Sequence, residues 1–325
     1  MITIEDIKRP IQKEFDDFSK KFEESVFSNS ELLNGVNQYI AKKRGKQIRP
    51  ILTLLSAKYT GEINEETIRA AIALEMLHTA SLMHDDVVDE ADERRGQKSV
   101  NAVWTNKIAI LVGDYLLSQS LATANQIENR EVINQITNLG KEISEGELLQ
   151  ITNVKNINCD ESKYFEVIRK KTATLFSTCT YTGAITTNCT KEEEEKMRKF
   201  GEIYGICFQI KDDIFDYIST EKEIGKPIGN DIREGKITLP LLYALNVCNN
   251  TEKEEILTLL KNKDFTSNNV QRLIDFAIKK GGIKYAESKM QDFKNQAYDI
   301  IKDSSNVEIK EALSKVLQHT IERKK

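Results

Sequence analysis

Proline is nearly absent from this chain, and no other feature of the sequence limits its fold so strongly. Four prolines occur in 325 residues, Pro10, Pro50, Pro227 and Pro240, so none lies between Ile51 and Lys226. Each interior proline costs a helix a hydrogen bond and adds a clash, so a run this long without one permits uninterrupted helices. Side chains there recur at helical spacing. Leu74, Leu77, Ser81 and Leu82 fall on an i, i+3, i+7, i+8 stripe, and Ile108, Leu111, Val112, Tyr115 and Leu116 on another. Val270 to Lys279 and Ile309 to Glu322 are amphipathic as well. Glycines are few and widely spaced, the pattern expected at helix ends. No strand-type alternation of the kind that flanks an Asn-Gly hairpin turn is present. The predicted fold class is all-α.

No linker rich in Gly, Pro or Ser divides the chain, so residues 1–325 read as a single domain. Gly225 to Pro240 concentrates glycine, proline and charge and reads as a loop between helices. The acidic run Glu192 to Glu195 suits a helix start after Thr190. A net charge of −4 with scattered basic residues gives no sign of a nucleic-acid partner. The five cysteines, Cys159, Cys179, Cys189, Cys207 and Cys248, form no Cys-x-x-Cys pair, which argues against zinc and against a disulfide framework. A reducing, cytoplasmic setting is the expectation. The charged N-terminus does not read as a signal peptide. No apolar stretch approaches the roughly 18 residues of a membrane span, so any membrane contact would be peripheral.

Two acidic clusters share one spacing. Asp85, Asp86 and Asp89 follow His84; Asp212, Asp213 and Asp216 follow Gln209-Ile-Lys. Residues i and i+4 of a helix share a face, about 6 Å apart, so Asp85 and Asp89 point together, as do Asp212 and Asp216. Such carboxylates repel, and Asp is a poor interior helix residue. Each cluster alone reads either as a solvated helix face or as a cation site. Their recurrence after two apolar helical runs favours the cation. Mg²⁺ takes one or two carboxylates directly and leaves room for phosphate oxygens. Candidate phosphate partners stand nearby: Lys46 and Arg49, Arg94 and Arg95, Lys171 beside Thr172, and Lys226 and Lys236 after the second cluster. His78 lies on the segment leading into Asp85. A His-Asp metal hydrolase is disfavoured, because only His78, His84 and His319 exist and the second cluster would have no role.

Taken together, these segments resemble the trans-isoprenyl diphosphate synthases, and among them the long-chain, octaprenyl-type bacterial polyprenyl synthases. The motifs are Gly45-Lys-Gln-Ile-Arg-Pro, Leu77-His-Thr-Ala-Ser-Leu-Met-His-Asp-Asp-Val-Val-Asp, Arg94-Arg-Gly, Gly113-Asp-Tyr-Leu-Leu, Glu145-Gly-Glu, Lys171-Thr-Ala, Phe208-Gln-Ile-Lys-Asp-Asp-Ile-Phe-Asp and Gly225-Lys-Pro-Ile-Gly-Asn-Asp. Lys211 stands where an apolar residue is more usual.

The resemblance implies an isoprenoid synthase fold, a large antiparallel helix bundle around a central cavity, and a homodimer. It implies that Asp85, Asp89 and Asp212 are the main Mg²⁺ ligands, supported by Asp86, Asp213 and Asp216, with three Mg²⁺ when substrate is bound. Lys46, Arg49, His78 and Arg95 would hold isopentenyl diphosphate, and Gly45 is a further substrate-binding position. Arg94, Lys171, Thr172, Gln209 and Lys226, with Lys236 more loosely, would hold the allylic diphosphate. Asp85, Asp86, Asp89, Lys171, Asp212 and Asp213 would carry catalysis.

Chain length in this family depends on the residues four and five places before the first Asp, here the small pair Ser81 and Ala80, with Met76 and Leu77 one turn deeper. The expectation is a product longer than C20, about C30 to C50, with octaprenyl favoured. The alternatives are a short-chain C15–C20 enzyme and the catalytic subunit of a heteromeric synthase. A class I terpene cyclase shares only the first cluster, and non-catalytic partner subunits tend to lack one or both. A simple metal-binding helical protein is the remaining alternative.

Overall fold

Helix follows helix along almost the whole computed structural model, which describes residues 2–42, 45–94, 96–157, 159–218 and 228–323. The first helices are α1 (Ile4–Lys8), α2 (Gln12–Ser25), α3 (Glu31–Ala41), α4 (Ile48–Thr60), α5 (Glu65–Val88), α6 (Val100–Val103), α7 (Asn106–Ala124), α8 (Arg130–Asn156) and α9 (Glu161–Ile168). A π-helical turn, Arg169–Ala173, joins α9 to α10 (Thr174–Ile185). After them come α11 (Lys191–Ile218), α12 (Asn230–Arg233), α13 (Leu239–Val247), α14 (Asn250–Lys261), α15 (Ser267–Lys279), α16 (Gly282–Ile301) and α17 (Val307–Glu322). The all-α prediction holds, with one addition. Glu93–Arg94 (β1) and Gln97–Lys98 (β2) pair as a tiny antiparallel hairpin, turned at Gly96 with φ +68°. The loop expected over Gly225 to Pro240 contains the single-turn α12 within its described part.

The chain folds as two compact units. One comprises Met1–Gly140, Phe176–Gly201 and Ile300–His319; the other comprises Lys141–Leu175, Glu202–Asp299 and Thr320–Lys325. In the first unit α5 is the central rod. Asn64 caps it, accepting from the Thr67 amide while Thr67 Oγ1 accepts from the Asn64 amide. From Ile68 to Ala80 it is buried almost all round, as expected of an apolar helix in the middle of a core. Each Leu, Ile or Met enclosed there stabilises the fold by about 1.5–3 kcal/mol. Its main neighbour is α7, started by Thr105 and tied to it by Ser120 Oγ donating to Ala73 O at 2.7 Å. In the second unit α13 packs on α15 through Leu241, Leu245, Leu273 and Ile274, with Tyr217 of α11 in the same core.

Several glycines depart from the expected helix-end placement. Gly113, Gly146, Gly183 and Gly201 lie inside helices, where a neighbouring segment approaches too closely for a Cβ. At Gly146 of α8 that neighbour is the backbone of Lys170 and Lys171.

Candidate active site

In the first unit the end of α5 sorts its three carboxylates by direction. Asp86 points inward, 1% exposed, and accepts from Arg94 Nε at 2.6 Å. Asp85 is half-buried and Asp89 is exposed at the C-cap, its amide donating to Asp85 O at 2.8 Å. The hairpin carries Arg94 to Asp86: Ala91 N donates to Asp86 O at 2.9 Å and Ser99 Oγ to Ala91 O at 2.6 Å, closing the loop on the helix end. A pocket of about 820 Å³, counting its open mouth, is lined by His78, Asp86, Arg94 and Lys98 above Phe22, Leu82 and Met83. His78 is buried on its wall. Arg49 lies at the start of α4 with its guanidinium 4.9 Å over the Phe176 ring, and Gly45 and Lys46 stand exposed just before it. Gly45 has φ +70°.

His84 has a packing role. Its ring lies in the gap left by Gly113 of α7, with Nε2 3.3 Å from both Ile110 O and the Asp114 carboxylate. His319 meets Ile2 O at 2.9 Å. The three histidines thus serve different places, which removes the basis for a histidine-rich hydrolase centre. Of the expected chain-length residues, Met76, Leu77 and Ala80 are buried, Ala80 in the cluster with Ala109, Val112 and Leu116 of α7. Ser81 is half-buried and donates to His78 O at 2.9 Å.

In the second unit the other cluster lies on α11. Asp213 is 2% exposed, and both of its oxygens are taken: Tyr164 OH donates to Oδ2 at 2.6 Å and Gln209 Nε2 to Oδ1 at 2.8 Å. Thr172 Oγ1 donates in turn to Gln209 Oε1 at 2.7 Å. Asp216 caps α12, accepting from Asn230 N at 2.9 Å and Asp231 N at 3.0 Å. Asp212 is the more open member and receives Arg323 Nη2 at 2.6 Å. Burial, followed by the Asp231 charge, pushes Asp213 up to about 8 and Asp216 up to about 7. A pocket of about 790 Å³, counting its mouth, brings Lys171, Thr172, Gln209, Asp213, Asp231 and Lys236 together. Lys171 pairs with Glu147, and Lys236 with Glu234 and Asp231. Arg95 and Lys226 lie outside the described residues.

Hard oxygen donors at both clusters fit a divalent cation that completes its shell from a substrate. Among the described residues no three His, Cys, Asp or Glu side chains converge into a ready-made cage. The sequence profile of the polyprenyl synthetase family matches residues 30–277. The chain belongs to that family.

The octaprenyl diphosphate synthase of Escherichia coli (strain K12) is 37% identical over 223 residues, 69% of each chain. Among solved structures, the geranylgeranyl pyrophosphate synthase of Bacteroides thetaiotaomicron is 42% identical with a TM-score of 0.85, covering 98% of this chain and 99% of that one. The polyprenyl synthase of Caulobacter crescentus CB15, complexed with calcium and isoprenyl diphosphate, is 26% identical with a TM-score of 0.93, covering 99% and 98%. This polyprenyl synthetase is therefore a prenyltransferase with the all-α isoprenoid synthase fold, in a group whose products run from short to long prenyl diphosphates. Sequence reasoning passed over Tyr164, Asp231 and Arg323 in this synthetase. Asp231 had a signal, a further carboxylate in the Gly-Asn-Asp stretch already singled out. Tyr164 and Arg323 had none, since 49 and 111 residues separate them from Asp213 and Asp212.

Proposed function

We propose that this synthetase condenses an allylic diphosphate with successive isopentenyl diphosphates to make a long all-trans polyprenyl diphosphate, about C30 to C50, with Mg²⁺ as cofactor. One observation carries the cofactor reading. Each cluster holds carboxylates oriented by protein donors, Asp86, Asp213 and Asp216, beside ones that face solvent, Asp85, Asp89 and Asp212, the last of these also met by Arg323. The open set supports ligation of metal and the engaged set supports its shape. When bound, Mg²⁺ supplies electrostatic stabilisation of the departing diphosphate.

The chain's own groups do the rest. Lys171, with Thr172, Gln209 and Lys236 on the same pocket, holds the allylic diphosphate and stabilises charge as the allylic C–O bond lengthens. Lys46, Arg49 and His78 hold isopentenyl diphosphate, whose double bond attacks the allylic carbon. Loss of a proton to the released diphosphate completes the new trans double bond, so no protein base is needed. Apolar walls keep water from the carbocation. Exposed Ile110, Leu111 and Leu121 on α7 support a homodimer.

Ala80 and Ser81 support the long product, because both are small at the two positions before Asp85 that set chain length in this family. A shorter, C20 product is the second reading, favoured by the 42% likeness to the Bacteroides geranylgeranyl pyrophosphate synthase. Incubation with farnesyl diphosphate, labelled isopentenyl diphosphate and Mg²⁺, followed by product sizing, tests both. Products of C30 or longer support the proposal, arrest at C20 replaces it with the second reading, and no elongation from any allylic starter overturns both.

A further inference from the structure

The segment running from α9 into the π-helical turn at Arg169–Ala173 is clamped to α11 at two points. Its Thr172 hydroxyl donates to Gln209 Oε1 at 2.7 Å, and eight residues earlier the Tyr164 phenol donates to Asp213 Oδ2 at 2.6 Å. Gln209 and Asp213 are one helical turn apart and are themselves joined, Gln209 Nε2 to Asp213 Oδ1 at 2.8 Å. The four side chains thus form one relay, from Tyr164 through Asp213 and Gln209 to Thr172. Both oxygens of Asp213 and both polar atoms of Gln209 are spoken for within it. Orientation passes along such a chain: the Gln209 amide offers its oxygen to Thr172 because its nitrogen is drawn to Asp213, and Asp213 holds that rotamer because Tyr164 takes its other oxygen. A π-turn is a rare conformation frequent at functional sites, and the relay ties this one to α11.

We propose that Tyr164 is a positioning residue whose phenol, acting through Asp213 and Gln209, sets the Lys171–Thr172 turn that receives the allylic diphosphate. The inference rests on the proposal that Lys171 and Thr172 hold that diphosphate. Tyr164 is nearly buried, on the inner side of α9, with its ring edge-on to Phe165 at 5.2 Å. Phe at this position keeps that packing and removes the hydroxyl alone.

The test uses the full chain and the variants Tyr164→Phe and Thr172→Val, with three readouts: hydrogen exchange of amides 169–173, titration with inorganic diphosphate in Mg²⁺, and KM for each substrate. Losing one donor to a buried carboxylate corresponds to roughly a tenfold effect. Tyr164→Phe is expected to speed exchange in the turn, weaken diphosphate binding roughly tenfold and raise KM for the allylic substrate, with KM for isopentenyl diphosphate unchanged. Thr172→Val should reproduce this, and the double variant should add little. Unchanged exchange in Tyr164→Phe overturns the clamp while leaving the diphosphate site intact. Faster exchange with unchanged diphosphate binding overturns the link to the ligand and places the fault in the substrate assignment. An equal rise in both KM values marks a merely structural role and also overturns the inference.

Discussion

At the scale of single residues, carboxylates of one motif do different work because their surroundings differ. Asp213 and Asp216 are raised to about 8 and about 7, chiefly by burial. A carboxyl whose folded value lies above its unfolded value, near 3.8, binds more protons folded than unfolded between those two values. Stability from these groups is therefore greatest at the low end of that window and falls as pH rises toward about 8. Without metal, Tm should fall between about pH 5 and about pH 8, Asp213→Asn should flatten that slope, and added Mg²⁺ should recover stability at the upper end. Melting curves in chelator and in Mg²⁺ decide it; a parallel slope in Asp213→Asn counts against the assignment. Gly146 offers a second case. A Cβ there meets the Lys170–Lys171 backbone, which has no rotamer to yield. Gly146→Ala should cost about 1–3 kcal/mol, seen as a lower denaturation midpoint, and should weaken diphosphate binding as the turn shifts.

At the scale of elements, α5 shows how one helix separates stability from chemistry along its length. Its N-terminus is held by Asn64, which also donates to Thr186 O at 2.6 Å. Asn64→Ala should cost about 1 kcal/mol and lower Tm without altering the Mg²⁺ dependence of turnover. Nearer the acidic end, Ser81 and Asp85 are one turn apart on one stripe, while Ala80 faces the α7 cluster. Ser81→Phe should shorten the product with little change in Tm. Ala80→Phe should shorten it too, and should also destabilise by about 1–3 kcal/mol from overpacking against Val112 and Leu116. Product sizing beside thermal melts separates the two, and unchanged product length in both variants refutes the chain-length proposal. The helical identity of α5 and α7 was legible from spacing. Leu111 falls on the helical stripe with Ile108 and Val112, yet it is 57% exposed, because periodicity assigns a face but not which face meets the core.

At the scale of the molecule, the outward apolar residues of α7 point to a second copy. Leu111→Glu combined with Leu121→Glu should convert a dimer to a monomer in light scattering, and a parent chain that is already monomeric would refute the homodimer. Among the described residues no helix is long and apolar enough to cross a membrane. From the sequence alone came the helical class, both acidic clusters, the basic residues around them and the family, because these depend on local spacing and residue type. Only the tertiary structure decided which carboxylates are buried and engaged, that Gly113, Gly146, Gly183 and Gly201 mark close approach, and that Tyr164 and Arg323 bear on the second cluster. Those features arise from contacts between residues far apart in the chain, and no local pattern encodes which distant side chain will complete a buried hydrogen bond.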